Sequence, residues 1–591
     1  MRFINSLYAG CAALGGLLAT MPVYADAFDD WANRLAEQRM LVNPEGATAQ
    51  QYFQGDIQAK LDAQLTRRDY AYRQQRVKEA HETLQALQGF KPDQLSPQQR
   101  ISAGIIAFSA QGTVDADRFA DYDFVFNQFN GLHVRLVNFL SQTHPIRNKR
   151  DIEHYLSRLH QVAEVMDVGI ARAQEQDKRG ILMPRFITTA AIGQFDRFLE
   201  GEEAANILVT SLKQRMSLLT DIPQTEQTST LIAAERGVAN EILPAFRRAK
   251  ALLTEQLPHT TDDTGLWRFP DGKAAYAVYL HRMTTTSMDA EEIHALGLKE
   301  VARIEAQMDG LLNSLGYREG TIQARMSQLS QALQPMGEAP QQQLLDRYSE
   351  IVKDALVRAT PLFDTMPKAP VVVKREPVFT EKTAAAHYSA PSEDGSRPGI
   401  FWVPLPGPSF RVISMRSLAY HEAIPGHHFQ IALQQENPSL PDFRRKRVFG
   451  EGSAYVEGWA LYAEQLAEEN GWYEGDTVGL LGKLESELFR ARRLVVDTGL
   501  HAMKWTRQQA IDYGITPVEV DRYVVNPGQA CAYKIGMLKL LALRHLAQEK
   551  LGERFSIKAF HQLILTTGDV PLDVLETVVN DWISQQKSAA R

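Results

Sequence analysis

Cysteine is nearly absent: the chain has two in 591 residues, Cys11 and Cys531. Cys11 falls in MRFINSLYAGCAALGGLLATMPVYADAFDD, which carries one early arginine, an apolar run, a proline and then Val23-Tyr24-Ala25. That is the pattern of a secretory signal peptide spanning residues 1–25, cut after Ala25. The expected mature chain, 26–591, keeps Cys531 alone. An internal disulfide is thereby excluded, although an exported, periplasmic location would permit one. Stability must come from a large apolar core. The stretch YAGC is similar to a lipoprotein signal, but the apolar run continues past it and little precedes it, so anchoring at Cys11 is the minor alternative.

Other absences narrow the function. Beyond the N-terminus no stretch has the apolar length of a membrane span. There is no basic excess: 64 Lys and Arg stand against 71 Asp and Glu, for a net charge of -7 that becomes -8 once Arg2 is removed with the signal peptide. That balance lacks the electrostatic footprint of a nucleic-acid binder. No fixed-period repeat or low-complexity linker divides the chain. The strand–helix alternation of α/β transport-type binding proteins is also missing.

What is present is mostly helical. QQRVKEAHETLQALQGF, NKRDIEHYLSRLHQVAEVMDVGIARAQEQ and AEEIHALGLKEVARIEAQMDGLLNSLG place apolar residues at three- and four-residue intervals. The last is expected to start after Asp289 as N-cap and to end at Gly316. Around residue 368 the texture changes. APVVVKREPVF, GIFWVPL and FRVISM are short, β-branched or aromatic, and read as strands or extended segments. Helices are expected again over 416–435, 454–469, 480–498 and 533–549. The fold class is therefore mainly α: one large domain, 26–591, with a helical half (26–367) and a second half (368–591) in which a small β-sheet precedes a histidine-rich helix.

That helix carries SLAYHEAIPGHHFQIALQQ, with His421, Glu422, His427 and His428 in eight residues. A catalytic zinc takes three protein ligands and one open position. In the common His-Glu-x-x-His arrangement both histidines share a helix face and the glutamate serves as general base. Here an unbroken helix fails. His421 and His427 would fall on different faces, and His421 and His428 would stand about 10 Å apart along the axis. One metal can be shared only if Pro425 and Gly426 break or bulge the helix, which is what those residue types do. Looping out two residues restores the relation for His427, and three for His428. The third ligand is expected on EGSAYVEGWALYAEQLAEE, which offers Glu451, Glu457, Glu464, Glu468 and Glu469. Glu457 stands out for its apolar neighbours and shares a face with Glu464, but position does not choose between Glu451 and Glu457.

HEAIPGHHFQ, YVEGWALYAEQLA, RARRLVVDTGLHAMKWT, NPGQACAYKIG and FHQLILTTGDVPL, in order from His421 to Leu572, resemble the signatures of a bacterial family catalogued as domain of unknown function 885. FTEKTAAAHYSAPSEDGSRPGIFWV upstream is similar as well. The resemblance implies likeness to gluzincin-type zinc peptidases: mainly helical carboxypeptidases, dipeptidases and oligopeptidases with a small sheet beside a kinked zinc-binding helix. It implies one zinc per chain, His421 with His427 rather than His428 as histidine ligands, Glu457 as the third, and Glu422 as base. Tyr533 is implied as donor to the oxyanion. His501 is a candidate second donor or supporting partner, and Asp497 a candidate carboxylate to hold a ligand imidazole, with core packing the alternative for His501. One of Arg490, Arg492 and Arg493 is a candidate for a substrate carboxylate. The segments 371–373 and 401–403 are candidate edges for pairing with a peptide. The expected partner is thus a peptide or other small amide. The competing readings are a zinc amidase or esterase on another substrate, and a non-catalytic metal-containing binding protein.

Overall fold

The computed structural model describes residues 21–588 apart from 335–338, 378–380, 382–383, 393–394, 396 and 451. Cys11, most of the expected signal peptide and Glu451 lie outside the described residues. The first helix, Met21–Leu41, runs across the expected cleavage position.

Helices dominate the described chain. The expected start at Asp289 holds: helix α1 (Ala290–Ser314) is capped by Asp289, whose side chain accepts from Glu292 N–H while Glu292 reaches back, a reciprocal capping box. Gly316, at φ +90°, turns the chain away after it. One apolar core includes residues from Phe28 to Ile583, drawing on both halves of the sequence. Among the described residues no helix is long and apolar enough to cross a membrane.

Among the described residues the sheet has three strands, β1 (Val371–Arg375), β2 (His387–Ser389) and β3 (Gly399–Val403). Their order is β1-β3-β2. β1 runs parallel to β3 with Val371 opposite Gly399, and β2 runs antiparallel with His387 opposite Trp402. Phe410–Met415, read as a strand or an extended segment, pairs with no strand and leads into a helix. One expectation needs correction. Phe401–Val403 lies in the central strand, where both backbone edges are taken, so it has no edge for a peptide. Among the described residues the outer strands are β1 and β2.

Of the helices that follow, six bear on the site: α2 (Met415–Glu422), α3 (His427–Glu436), α4 (Ser453–Glu469), α5 (Thr477–His501), α6 (Gln529–Leu551) and α7 (Ile557–Thr567). The single helix expected over 416–435 is two helices, separated by Ala423–Gly426. α1 packs along α5, and α4 along α6. The α4–α6 crossing is close because two glycines meet there: a Cβ on Gly536 would stand 1.9 Å from the Ala454 carbonyl oxygen, and one on Gly458 would reach the Gly536 backbone. This contact brings the helix of Glu457 against the helix of Tyr533.

Candidate metal centre

The chain between His421 and His427 reverses tightly. The Ile424–Pro425 peptide is cis. Gly426 packs so close that a Cβ there would stand 1.9 Å from the His421 carbonyl oxygen, which leaves glycine as the residue that fits. The turn is held from outside: the fully buried Trp459 on α4 donates its indole N–H to the Pro425 carbonyl at 2.8 Å. Of the two forms expected, a break or a bulge, the chain takes the break: the Pro-Gly stretch ends one helix and lets another begin.

That break brings the two imidazoles together, with ring centroids 4.8 Å apart and planes at 83°. His421 Nε2 and His427 Nε2 each lie 3.5 Å from the same Glu457 oxygen, Oε2. One ligand atom from each residue lies within 4.8 Å of the others. At metal–ligand distances near 2.0–2.2 Å, tetrahedral donors are about 3.4 Å apart. The observed separations fit that spacing and exceed those of direct hydrogen bonds. The Glu457 side chain keeps 22 % of its surface exposed against 4 % for His421, so the open side of the cluster lies at the glutamate.

His421 is fixed from behind. Its Nδ1 lies 2.8 Å from Glu464 Oε1, and the other oxygen of Glu464 accepts from Ser417. A carboxylate on Nδ1 sets the tautomer that presents Nε2 to a metal. Glu457 and Glu464 are seven residues apart on α4, two helical turns, so one helix supplies both a candidate ligand and the carboxylate behind His421. Asp497, the residue expected to support a ligand, is elsewhere: it accepts from the Tyr276 hydroxyl at 2.6 Å and from Gly528 N–H at 2.9 Å. Replacing Glu464 by Gln is expected to lower metal affinity by about 10–100-fold while the protein still folds, as read by competition with a chelating dye.

His428 faces the other way. Its Nδ1 meets the Tyr388 hydroxyl of β2 at 2.9 Å, tying α3 to the sheet. Burial pushes its pKa down to about 4. His427 is thus the histidine grouped with His421. Its Nδ1 is buried without a hydrogen-bond partner among the described residues. Glu422, the last residue of α2, is buried beside the pair. Burial raises its pKa, with His427 and His421 opposing. Burial acts against charge on Glu457 as well, but the two imidazoles outweigh it and hold that carboxyl well below its usual range. For His421 burial is likewise outweighed, by Glu457 and Glu464, and its pKa rises to about 9. Three carboxylates around two imidazoles make a pocket whose charge favours a cation.

The remaining candidates separate clearly. His501 has both ring nitrogens on main-chain groups: Nδ1 accepts from Leu266 N–H at 3.2 Å, and Nε2 lies 3.0 Å from the Tyr523 carbonyl. It stacks on Tyr276, and burial lowers its pKa to about 4. Neither nitrogen is left to donate to a reacting oxygen, so its role is packing. His561 is likewise structural, bridging the Leu362 carbonyl and the Tyr462 hydroxyl. Tyr533 is half-buried on α6 with the Arg493 guanidinium 4.4 Å from its ring centre. Its hydroxyl has no hydrogen-bond partner among the described residues, so it is free to donate. A second grouping, Asp62, Asp151 and His154, also brings ligand-type atoms together. Its carboxylates are already occupied, Asp151 by Arg147 and Asp62 by Thr48 and Gln58.

The chain belongs to the family described as bacterial protein of unknown function (DUF885), which it matches over residues 44–579. No curated protein matches it. Among solved structures it is similar to "the putative lipoprotein from Colwellia psychrerythraea", with 30% identity, a TM-score of 0.86, and coverage of 96% of this chain and 99% of that one. It shares its fold with "a putative lipoprotein of unknown function from Shewanella oneidensis", at 19% identity and a TM-score of 0.68, covering 95% of this chain and all of that one.

Proposed function

We propose that this protein is an exported, periplasmic zinc-dependent metallopeptidase that hydrolyses small peptides, resembling the gluzincin carboxypeptidases and oligopeptidases in its site. The observation that carries the reading is the triangle of His421, His427 and Glu457 with Glu422 buried next to it. Two imidazoles and a carboxylate, with an open side, are the donor set of a catalytic rather than a structural zinc. The resemblance to proteins described as lipoproteins supports export.

His421, His427 and Glu457 would hold one zinc ion per chain. When bound, zinc polarises a scissile carbonyl and acidifies a water. Glu422 takes the proton of the attacking water and returns it to the leaving amine. Tyr533 donates to the oxyanion as the carbonyl becomes tetrahedral. Glu464 holds His421 in register throughout.

The test is metal content by mass spectrometry on residues 26–591 and on the His421→Ala variant, each dialysed and reloaded with zinc. About one zinc per chain in the parent and little in the variant is the expected result. A parent that retains no metal overturns the mechanism.

A further inference from the structure

A cavity of about 60 Å³ in the N-terminal half is lined by three arginines, Arg68, Arg135 and Arg172, together with Asp123, Asn130 and apolar residues. None of its lining residues belongs to the candidate metal centre. The three arginines come from separate stretches of chain. Arg68 precedes the helix Tyr70–Leu87, Arg135 lies on the helix Leu132–Asn138, and Arg172 on the helix Lys149–Lys178. Local packing fixes the wall between them. Gly169 lets the long helix approach the segment 125–132, since a Cβ there would stand 2.6 Å from Leu132 Cδ2. Leu132 N–H closes that segment on the Val125 carbonyl at 2.7 Å. Asn127 pins it, donating to the Phe124 carbonyl and accepting from the N–H groups of Phe129 and Asn130. The charges around the cavity do not cancel. Arg68 pairs with Glu45 at 2.5 Å. Arg172 donates to the carbonyls of Ala120 and Asp123, which occupy its hydrogens without neutralising it. Arg135 is exposed, and its guanidinium has no ion pair or hydrogen bond among the described residues. Asp123 is the one carboxylate lining the cavity, so a positive charge is left over even with Glu45 counted. Asn130 accepts from Asn127 at 2.8 Å through Oδ1, which leaves its Nδ2 as a further donor.

We propose that this cavity binds a phosphate group through Arg68, Arg135 and Arg172, as a site independent of the metal centre and of the peptidase reading. Like charges gathered around one space repel, and an oxyanion seated among them turns that repulsion into attraction. Guanidiniums bind oxyanions through paired, charge-assisted hydrogen bonds. Three of them on three segments suit a tetrahedral anion, which offers oxygens on all sides, better than a carboxylate, which offers two in one plane. Size agrees. A water needs about 10–15 Å³ of such space, so the cavity takes the five heavy atoms of a phosphate and little more. The rest of a larger molecule would extend into solvent past the exposed Arg135. Inorganic phosphate and a phosphate monoester share this chemistry.

The test is calorimetric titration of inorganic phosphate, and separately of glycerol 3-phosphate, into residues 26–591 at an ionic strength held constant with chloride. At least one of the two is expected to bind with a Kd of about 1 mM or tighter. Arg135→Met should weaken that binding by about tenfold or more. Arg135→Lys should weaken it less, because an ammonium keeps the charge but not the fork. Arg135 has no partner to lose, so the thermal midpoint without phosphate should stay where it is in both variants. The rise in midpoint that the ligand gives the parent should disappear in Arg135→Met. Asp123→Asn removes the carboxylate from the wall and should tighten binding, while its main-chain carbonyl still holds Arg172. Tighter binding of glycerol 3-phosphate, with the same dependence on Arg135, supports the proposal and marks an ester as the ligand; tighter binding of phosphate supports it and marks the free ion. No binding of either, binding that Arg135→Met leaves intact, or weaker binding in Asp123→Asn overturns the proposal. Phosphate held by a metal at the other site would survive Arg135→Met and so counts against it.

Discussion

Glu422→Gln is expected to abolish most turnover while leaving the metal in place. Glutamine has nearly the volume of glutamate and can fill the same buried position at the end of α2. It cannot accept the proton that the attacking water must lose. General-base catalysis of this kind contributes about 10²–10⁴-fold, so kcat on a susceptible peptide should fall by that factor. Zinc content should stay near one per chain, because Glu422 is not among the three residues that converge on a common point. The paired measurement separates the competing readings. Lost turnover with retained zinc marks a hydrolase; unchanged behaviour marks a protein that holds metal for another purpose. Loss of zinc would instead make Glu422 a ligand.

Much of this site was legible in the sequence, because its core is local. His421, Glu422 and His427 lie within one turn of chain, and the Pro-Gly between them announced that a straight helix would not serve. The spacing of Glu457 and Glu464 already placed them on one face of α4. The form of the break was not legible. The break is met by a partner distant in sequence, Trp459, which donates to the Pro425 carbonyl from 34 residues away. His501 misled for the same reason. Its sequence neighbours suggest a site, but its partners are the backbones of Leu266 and Tyr523, which only tertiary packing brings near. Glu464, offered by the sequence only as a possible third ligand, is not legible there as the support of His421, because side-chain direction on a buried helix cannot be read from spacing alone. The sheet followed a similar rule: strands with apolar runs were visible, whereas His387–Ser389 is too short to carry a pattern.

Behind the site lies a buried charge network, and breaking it is expected to give the largest loss of stability. Glu487 on α5 is its hub. Its Oε1 meets Lys534 Nζ at 2.6 Å and also Arg303, and its Oε2 meets Lys483 Nζ at 2.7 Å. Lys534 has a second contact with Glu300 at 3.0 Å, and Lys483 with Glu468 at 2.6 Å. Glu487, Lys483 and Lys534 are each at most 1 % exposed. Removing one partner of such a cluster leaves buried charge uncompensated, at about 3–5 kcal/mol. Glu487→Gln should therefore lower the thermal midpoint markedly. Adding Lys534→Met should recover part of the loss, since the double variant no longer buries that cation. A double variant no more stable than Glu487→Gln would mean that the cost lies in packing rather than in charge. The pH dependence has a definite sign. Burial acts against charge on Glu487, but Lys534, Lys483 and Arg303 outweigh it and hold its pKa far below the ordinary carboxylate range. Its contribution is complete above the unfolded value, near about 4.3, and is lost as the pH falls toward the folded one. The parent should lose stability on acidification below about pH 4 more steeply than Glu487→Gln, which lacks that proton linkage. The same network joins α1, α4, α5 and α6, the last three of which carry Glu457, Arg490 and Tyr533. Its loss should therefore loosen the candidate site before it unfolds the chain, and zinc retention at a temperature below the midpoint is the measurement that would register it.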